Sequence, residues 1–149
     1  MTMQAVSVEP VRRSVTVGRS VEEAFALFTE GISSWWPFAT HSIGGENAVE
    51  AIFEHREGGR VYERLADGTE HEWADITAWE PPHRFVLGWH VNPERETEVE
   101  VRFVPAGEGT RVELEHRGWE RLTESVAATS RRNYDVGWQE VLGKYEAAA

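Results

Sequence analysis

Residues 60–91 read RVYERLADGTEHEWADITAWEPPHRFVLGWHV. Two turn signals divide this stretch into three runs of alternating apolar and polar residues. Asp67-Gly68 is a strong two-residue hairpin signal, and Pro81-Pro82 marks a second turn. Folding the chain about the first places Val61 opposite Ala74 and Glu63 opposite Glu72. Folding it about the second places Ala78 opposite Phe85, Ile76 opposite Leu87 and Ala74 opposite Trp89. The two turns assign one apolar face independently, and a one-residue slip would flip every side chain. The other face then carries Trp73 and Trp79, with Arg84 beside Trp79.

The same test works further along. A hairpin through the Gly107–Gly109 segment pairs Phe103 with Val112, Val101 with Leu114 and Val99 with His116, with Arg102 beside Glu113 on the reverse. Strands are expected over 48–54, 60–65, 70–79, 83–91, 97–105 and 110–117. An earlier strand is expected around Val11, Val15 and Val17. Ser20 and Glu23 form a capping box that opens a helix with Val21, Ala24, Phe25 and Phe28 on its apolar face. A second short helix is expected from Ile32 to Trp36, ended by Pro37, and then a polar loop from Thr40 to Asn47. Tyr134, Trp138, Val141, Leu142 and Tyr145 make the stripe of an amphipathic helix from about Glu124 to Glu146. That helix, ~34 Å long, is long enough to cross seven strands, which span ~29 Å. The reading is α+β: a curved seven-stranded antiparallel sheet around a long C-terminal helix, with two short helices after the first strand. Residues 1–9 are expected to be a loose arm and residues 10–149 one domain.

Composition narrows the function. The chain has 149 residues, 40% of them hydrophobic and 28% charged, enough for one self-sufficient core. There is no cysteine, which removes thiol catalysis, iron–sulfur clusters and cysteine zinc sites. A net charge of −11 repels nucleic acid and anionic membranes. No apolar run is long enough to span a bilayer and no signal peptide is visible, so the cytoplasm is the expected location. The six histidines show neither HExxH nor His-x-His spacing. No metal and no cofactor are expected.

Three segments resemble a known family: Arg13–Val17 with Glu23–Thr29 and Trp35-Trp36-Pro37; Trp79–Trp89; and Gly137–Leu142. With Gly58-Gly59, Asp67-Gly68 and Glu115-His116 they cover about Val11 to Tyr145. The chain resembles the START-like (SRPBCC) helix-grip superfamily. Within it, the chain is similar to the bacterial single-domain members of the activator of heat-shock protein 90 ATPase homologue family. The resemblance implies a helix-grip fold and a ligand cavity, in a superfamily that also holds cyclases, hormone receptors and co-chaperones. The eukaryotic chaperone activators of that family carry an additional N-terminal domain, for which these residues leave no room. The family name is therefore not read as an activity.

A long helix laid across a curved sheet does not fill the concavity by itself. Ala74 leaves space at the centre. Phe85, Leu87, Trp89, Val101, Phe103 and Leu114 form walls, Trp138 faces them from the helix, and Trp36 and Phe38 close one end. Such a space suits a small apolar or aromatic ligand. The register also turns Glu63 and Glu72 inward, and the simplest pairing through Gly58-Gly59 adds Glu50. These glutamates either bind a cation, hold a proton for acid–base work, or sit solvated at the sheet rim. His116 is expected inward beside Trp119, bonded to a backbone carbonyl or serving as a cavity acid–base group. His41, in the loop after Pro37, is either exposed or the contact at the cavity entrance. His90 should point outward. The acidic run 94–100 reads as a solvated strand face.

Three functions follow. The first is binding of a small hydrophobic ligand in a cavity between sheet and helix. The second is a cyclase or dehydratase using the same His and Glu. The third is an interaction module linked to chaperones or stress, which an apolar outer patch around Trp73 and Trp79 would favour. Monomer and homodimer are both compatible with the sequence.

Overall fold

Alternation of Val11, Val15 and Val17 with polar residues produces the first strand, β1 (Val11–Val17). The computed structural model describes residues 9–91 and 95–149. Residues 1–8 of the expected arm lie outside the described residues; Glu9 is held, its carbonyl accepting from Arg131 Nε at 2.6 Å. After β1, the Ser20 hydroxyl accepts from the Glu23 amide at 3.1 Å, and the Glu23 carboxylate reaches back to the Ser20 amide. This capping box starts α1 (Val21–Thr29), which buries Ala24, Phe25 and Phe28. A 3-10 turn covers Ile32–Ser34, shorter than the helix expected there. A single helical turn, α2 (Phe38–His41), then begins directly after Pro37 and takes in Thr40 and His41, the first two residues of the expected polar loop. It is pinned by Trp36, whose indole N–H donates to the His41 carbonyl at 2.9 Å.

Six further strands follow: β2 (Ala48–Phe53), β3 (Arg60–Leu65), β4 (Glu70–Glu80), β5 (Arg84–Trp89), β6 (Thr97–Ala106) and β7 (Gly109–Arg117). They form one antiparallel sheet in the order β1-β7-β6-β5-β4-β3-β2. The chain ends in α3 (Glu124–Ala148). Ala127, Trp138, Val141, Leu142 and Tyr145 of α3 are buried. The Tyr145 hydroxyl donates to the Ala24 carbonyl at 2.8 Å, which ties α3 to α1. Among the described residues no helix is long and apolar enough to cross a membrane.

The register is right far from the turns and shifted next to them. Arg64 pairs with Glu70 and Leu65 N–H bonds Thr69, so the first connection holds Ala66, Asp67 and Gly68 rather than two residues. Gly68 takes a positive φ of 90° there, the usual closing residue of a three-residue hairpin loop. Glu80 pairs with Arg84, so the second connection also holds three residues, Pro81 to His83. Each shift is cancelled by a bulge in β4. The extra residue is Trp73 against β3 and Thr77 against β5. The pairs Val61–Ala74, Ile76–Leu87 and Ala74–Trp89 therefore stand as expected, as do all three in the β6–β7 hairpin. A third irregularity falls at Val49 in β2. Bulges bend the strand that carries them and increase its twist, and so curl this half of the sheet.

The corrections follow from those bulges. Glu63 faces His71, not Glu72, and Glu72 turns outward. Glu50 faces Arg64 and is ion-paired to it instead of joining an inward row. Trp79 faces Phe85 and packs on Phe25 and Phe53. Trp73 is buried inward. The apolar outer patch expected around Trp73 and Trp79 is thus not there. Glu100, expected on a solvated face, is 4% exposed under Arg84 at 2.7 Å, Arg102 at 2.9 Å and Arg117 at 2.7 Å. Burial raises its pKa, but the three guanidiniums outweigh that and bring it down to about 2. Glu94 of the same run lies outside the described residues.

The largest correction concerns the concavity. Phe25, Phe28, Phe53, Phe85 and Phe103 interlock between sheet and helices, with Phe53–Phe85 centroids 4.9 Å apart and Phe25–Phe103 5.1 Å apart. The void left there is about 20 Å³, room for a single water at most. The centre of the grip is core.

Candidate functional site

The open volume lies at one end of the grip. A pocket of about 260 Å³ forms where α3, α2 with its following loop, and the ends of β4 and β5 meet. Helix α3 contributes Tyr134, Gly137, Trp138 and Val141, one face of its apolar stripe. The bulge in β4 turns Trp73 into the wall beside Trp89. Pro37 ends the preceding chain direction, and α2 then presents His41, with Ile43 following it at the rim. Trp36 completes the wall, 4.8 Å from Trp73 centroid to centroid.

All four indole N–H groups of this pocket are already engaged. Trp36 donates to the His41 carbonyl, Trp73 to Glu63 Oε1 at 2.6 Å, Trp89 to the Tyr134 hydroxyl at 2.9 Å and Trp138 to His116 Nδ1 at 2.9 Å. The rings are therefore locked in orientation, and they offer a guest π-faces and edges rather than donors. Polar chemistry falls to two groups. The Tyr134 hydroxyl accepts from Trp89, which leaves its own proton to be donated; burial raises its pKa and keeps it protonated. The His41 Nδ1 lies 2.7 Å from Thr40 Oγ1 and its Nε2 3.3 Å from Glu140 Oε2. The ring lies over Gly137, where a Cβ would stand at ordinary contact, 3.8 Å from the imidazole.

Two buried polar groups back the wall. Glu63 is fully buried. Its carboxylate accepts from the amides of Ile43 at 2.7 Å and Gly44 at 2.6 Å, and from Trp73, while His71 Nδ1 lies at 3.3 Å. Burial raises the Glu63 pKa, and the bonds from Trp73, Ile43, Gly44 and His71 outweigh it, so the group stays ionised. It holds the rim loop to the sheet. His116 is also fully buried. Its Nδ1 accepts from Trp138, so Nε2 carries the proton and donates to Thr97 Oγ1 at 2.7 Å. Desolvation pushes its pKa down to about 3. Its partners are side chains rather than the expected backbone carbonyl, and neutral His116 orients Trp138.

Of the residues expected to contact a ligand, Trp36, His41, Trp89 and Trp138 line the pocket. Glu63 and His116 stand behind its wall. Phe85, Leu87, Val101 and Leu114 line the small interior void and not this pocket. Ala74 and Phe103 are buried in the core, and Phe38 packs at its edge. Glu72 lies exposed on the outer face. The pocket residues not anticipated are Thr40, Ser42, Ile43, Trp73, Val91, Tyr134, Gly137 and Val141. Tyr134 and Val141 were on the helix stripe, and their aromatic and apolar character at one end of it was the available signal. Trp73 was hidden by the bulge.

A curled antiparallel sheet gripping its terminal helix, with an aromatic pocket at one end, defines a helix-grip protein of the START-like (SRPBCC) superfamily. The chain belongs to the family described as Activator of Hsp90 ATPase homolog 1-like protein, whose pattern matches residues 19–148. No curated protein matches the sequence. Among solved structures it is similar to the anthrahydroquino-γ-pyrone synthase Txn09, with 37% identity, 87% of this chain and 88% of that one covered, and a TM-score of 0.58. It is similar to the self-sacrificing resistance protein CalC from Micromonospora echinospora, with 32% identity, 95% and 94% covered, and a TM-score of 0.69. The protein MLL2253 from Mesorhizobium loti shares the fold at 17% identity, with 93% and 94% covered and a TM-score of 0.69.

Proposed function

We propose that this protein binds a flat, largely apolar aromatic molecule bearing a carbonyl acceptor, in the pocket between α3 and the ends of β4 and β5. One observation carries the reading: four tryptophans whose N–H groups are internally satisfied enclose about 260 Å³, with the Tyr134 proton left to donate. Oriented indoles stack on a planar guest, and a single donor fixes its rotation. The volume sits just under the ~300–1,000 Å³ of drug-sized sites, which limits the guest to about two or three fused rings. Likeness to a synthase of an anthrahydroquino-γ-pyrone supports a flat polycyclic guest. Titration of a dihydroxyanthraquinone against intrinsic tryptophan fluorescence tests it. Saturable quenching that weakens in Tyr134→Phe is expected; absence of saturable quenching refutes the reading.

His41 favours a second reading. An imidazole on the pocket wall, between the Thr40 hydroxyl and the Glu140 carboxylate, is set to move a proton at an enolisable carbonyl of the guest, as a cyclase requires. The likeness to Txn09 points the same way. Turnover of a polyketone substrate that is lost in His41→Gln while binding persists would establish it. Turnover unchanged in that variant would remove it.

A further inference from the structure

The outer face of the sheet pairs most of its carboxylates with arginine: Glu50, Glu70, Glu98, Glu100, Glu113 and Glu115 all have such partners. One spot differs. Among the described residues, Glu72 and Asp75 of β4 are ion-paired with no arginine and face only His90, just past the end of β5. Their positions arise from the bulge. Residues three apart on a regular strand lie on opposite faces, but the extra residue Trp73 brings Glu72 and Asp75 to the same one. His90 Nε2 lies 3.3 Å from Glu72 Oε1 and 3.9 Å from Asp75 Oδ2. The side chain is 30% exposed, but the Nε2 atom itself is covered and makes no hydrogen bond. A third carboxylate, Glu96, lies against Gly88, the cross-strand partner of Asp75; a Cβ at Gly88 would meet its Oε1 at 2.7 Å.

We propose that Glu72, Asp75 and His90 form a binding site for a divalent transition cation of the zinc class. The three ligand atoms lie within 4.8 Å of one another. A tetrahedral ion with bonds of about 2.0–2.1 Å has ligand–ligand edges of about 3.3–3.4 Å. The His90–Glu72 separation already matches such an edge, and the half-exposed Asp75 side chain has the freedom to turn toward the other two and close the triangle. One imidazole nitrogen with two carboxylates selects zinc, cobalt or manganese over magnesium and calcium, which prefer all-oxygen shells. Water fills the remaining position. The ion neutralises both carboxylates and gives the orphaned Nε2 a partner. It also clamps β4 to β5 directly behind Trp73 and Trp89, so it registers in indole emission. This site stands independently of any guest in the pocket.

The test is calorimetric titration of chelator-treated, dialysed protein with zinc chloride and with magnesium chloride, with tryptophan emission and far-UV circular dichroism recorded alongside. One zinc per chain is expected, with no magnesium binding. His90→Gln and the double variant Glu72→Gln/Asp75→Asn should each lose at least about tenfold in zinc affinity. His55→Gln, at the separate surface pair with Glu30, should keep wild-type affinity. Cobalt(II) should give visible d–d bands in the wild type that His90→Gln lacks, a readout that does not depend on stability. No zinc binding by the wild type, affinity equal in all variants, or cobalt bands unchanged in His90→Gln would overturn the proposal.

Discussion

Replacing Glu63 by Gln removes one charge from the back of the pocket wall while keeping its shape. The wild-type carboxylate takes short bonds from Ile43, Gly44 and Trp73. Bonds to a charged acceptor contribute about 1.5–3 kcal/mol each, against about 1 kcal/mol for neutral ones. In the variant one carbonyl oxygen still serves Ile43 and Trp73, but the new amide points its protons at the Gly44 N–H. That donor is left unsatisfied in a buried place, at about 1–3 kcal/mol. Relief from burying a charge offsets part of the loss, and a net destabilisation of about 3 kcal/mol is expected. For a chain of this length that is a drop of about 6–12 °C in Tm. The sign with pH is fixed by the lowered pKa of Glu63. Its contribution is present above the unfolded value of 4.5 and fades as pH falls below it. Urea denaturation of both proteins at pH 7 and at pH 4 measures this, and the gap should narrow at pH 4. A variant within 1 kcal/mol of wild type at pH 7, or a gap that does not change with pH, would refute the assignment of Glu63 as an ionised clamp on the rim loop.

Three other outcomes are expected. His116 has a folded pKa near 3 against 6.5 when free, so the unfolded state binds the extra proton. Stability should be full above pH 6.5 and fall by about 2–3 kcal/mol by pH 4.5, read as the urea midpoint; a flat profile over that window would contradict a buried neutral imidazole. Tyr134→Phe deprives the Trp89 N–H of its acceptor and the guest of its donor, so it should cost about 1 kcal/mol in stability and weaken a carbonyl-bearing guest more than a hydrocarbon of the same shape in fluorescence titration. Phe85→Ala removes the ring at the centre of the filled interior and should cost about 3–5 kcal/mol by denaturant unfolding, with little effect on guest affinity. Equal losses of stability and affinity would place the binding volume in the centre after all.

Much of this fold is legible in sequence because hairpin register is overdetermined: the β6–β7 pairs and the inner β4 pairs come directly from alternation. What alternation cannot show is a bulge. A strand carrying an extra residue, such as Trp73, has no sequence mark, and each three-residue connection looked like a two-residue one. The two errors cancel along β4, so distant pairs were right while Glu72, Trp73 and Trp79 were turned to the wrong faces. The candidate site was half legible for a related reason. Pattern identifies which rings point inward, here Trp36, Trp89 and Trp138, but not how tightly rings from different elements interlock. Phe25, Phe28 and Phe53 fill the space that the small residues of β4 seemed to leave, and the opening moves to the end where α2 begins.

A crystal structure of the protein grown with a dihydroxyanthraquinone would be decisive for the central claim. The guest should lie against Trp73, Trp89 and Trp138 at contact distances of about 4 Å, with a carbonyl oxygen bonded to the Tyr134 hydroxyl. A guest lodged between the phenylalanines of the interior, or none seated among the tryptophans at saturating concentration, would contradict it.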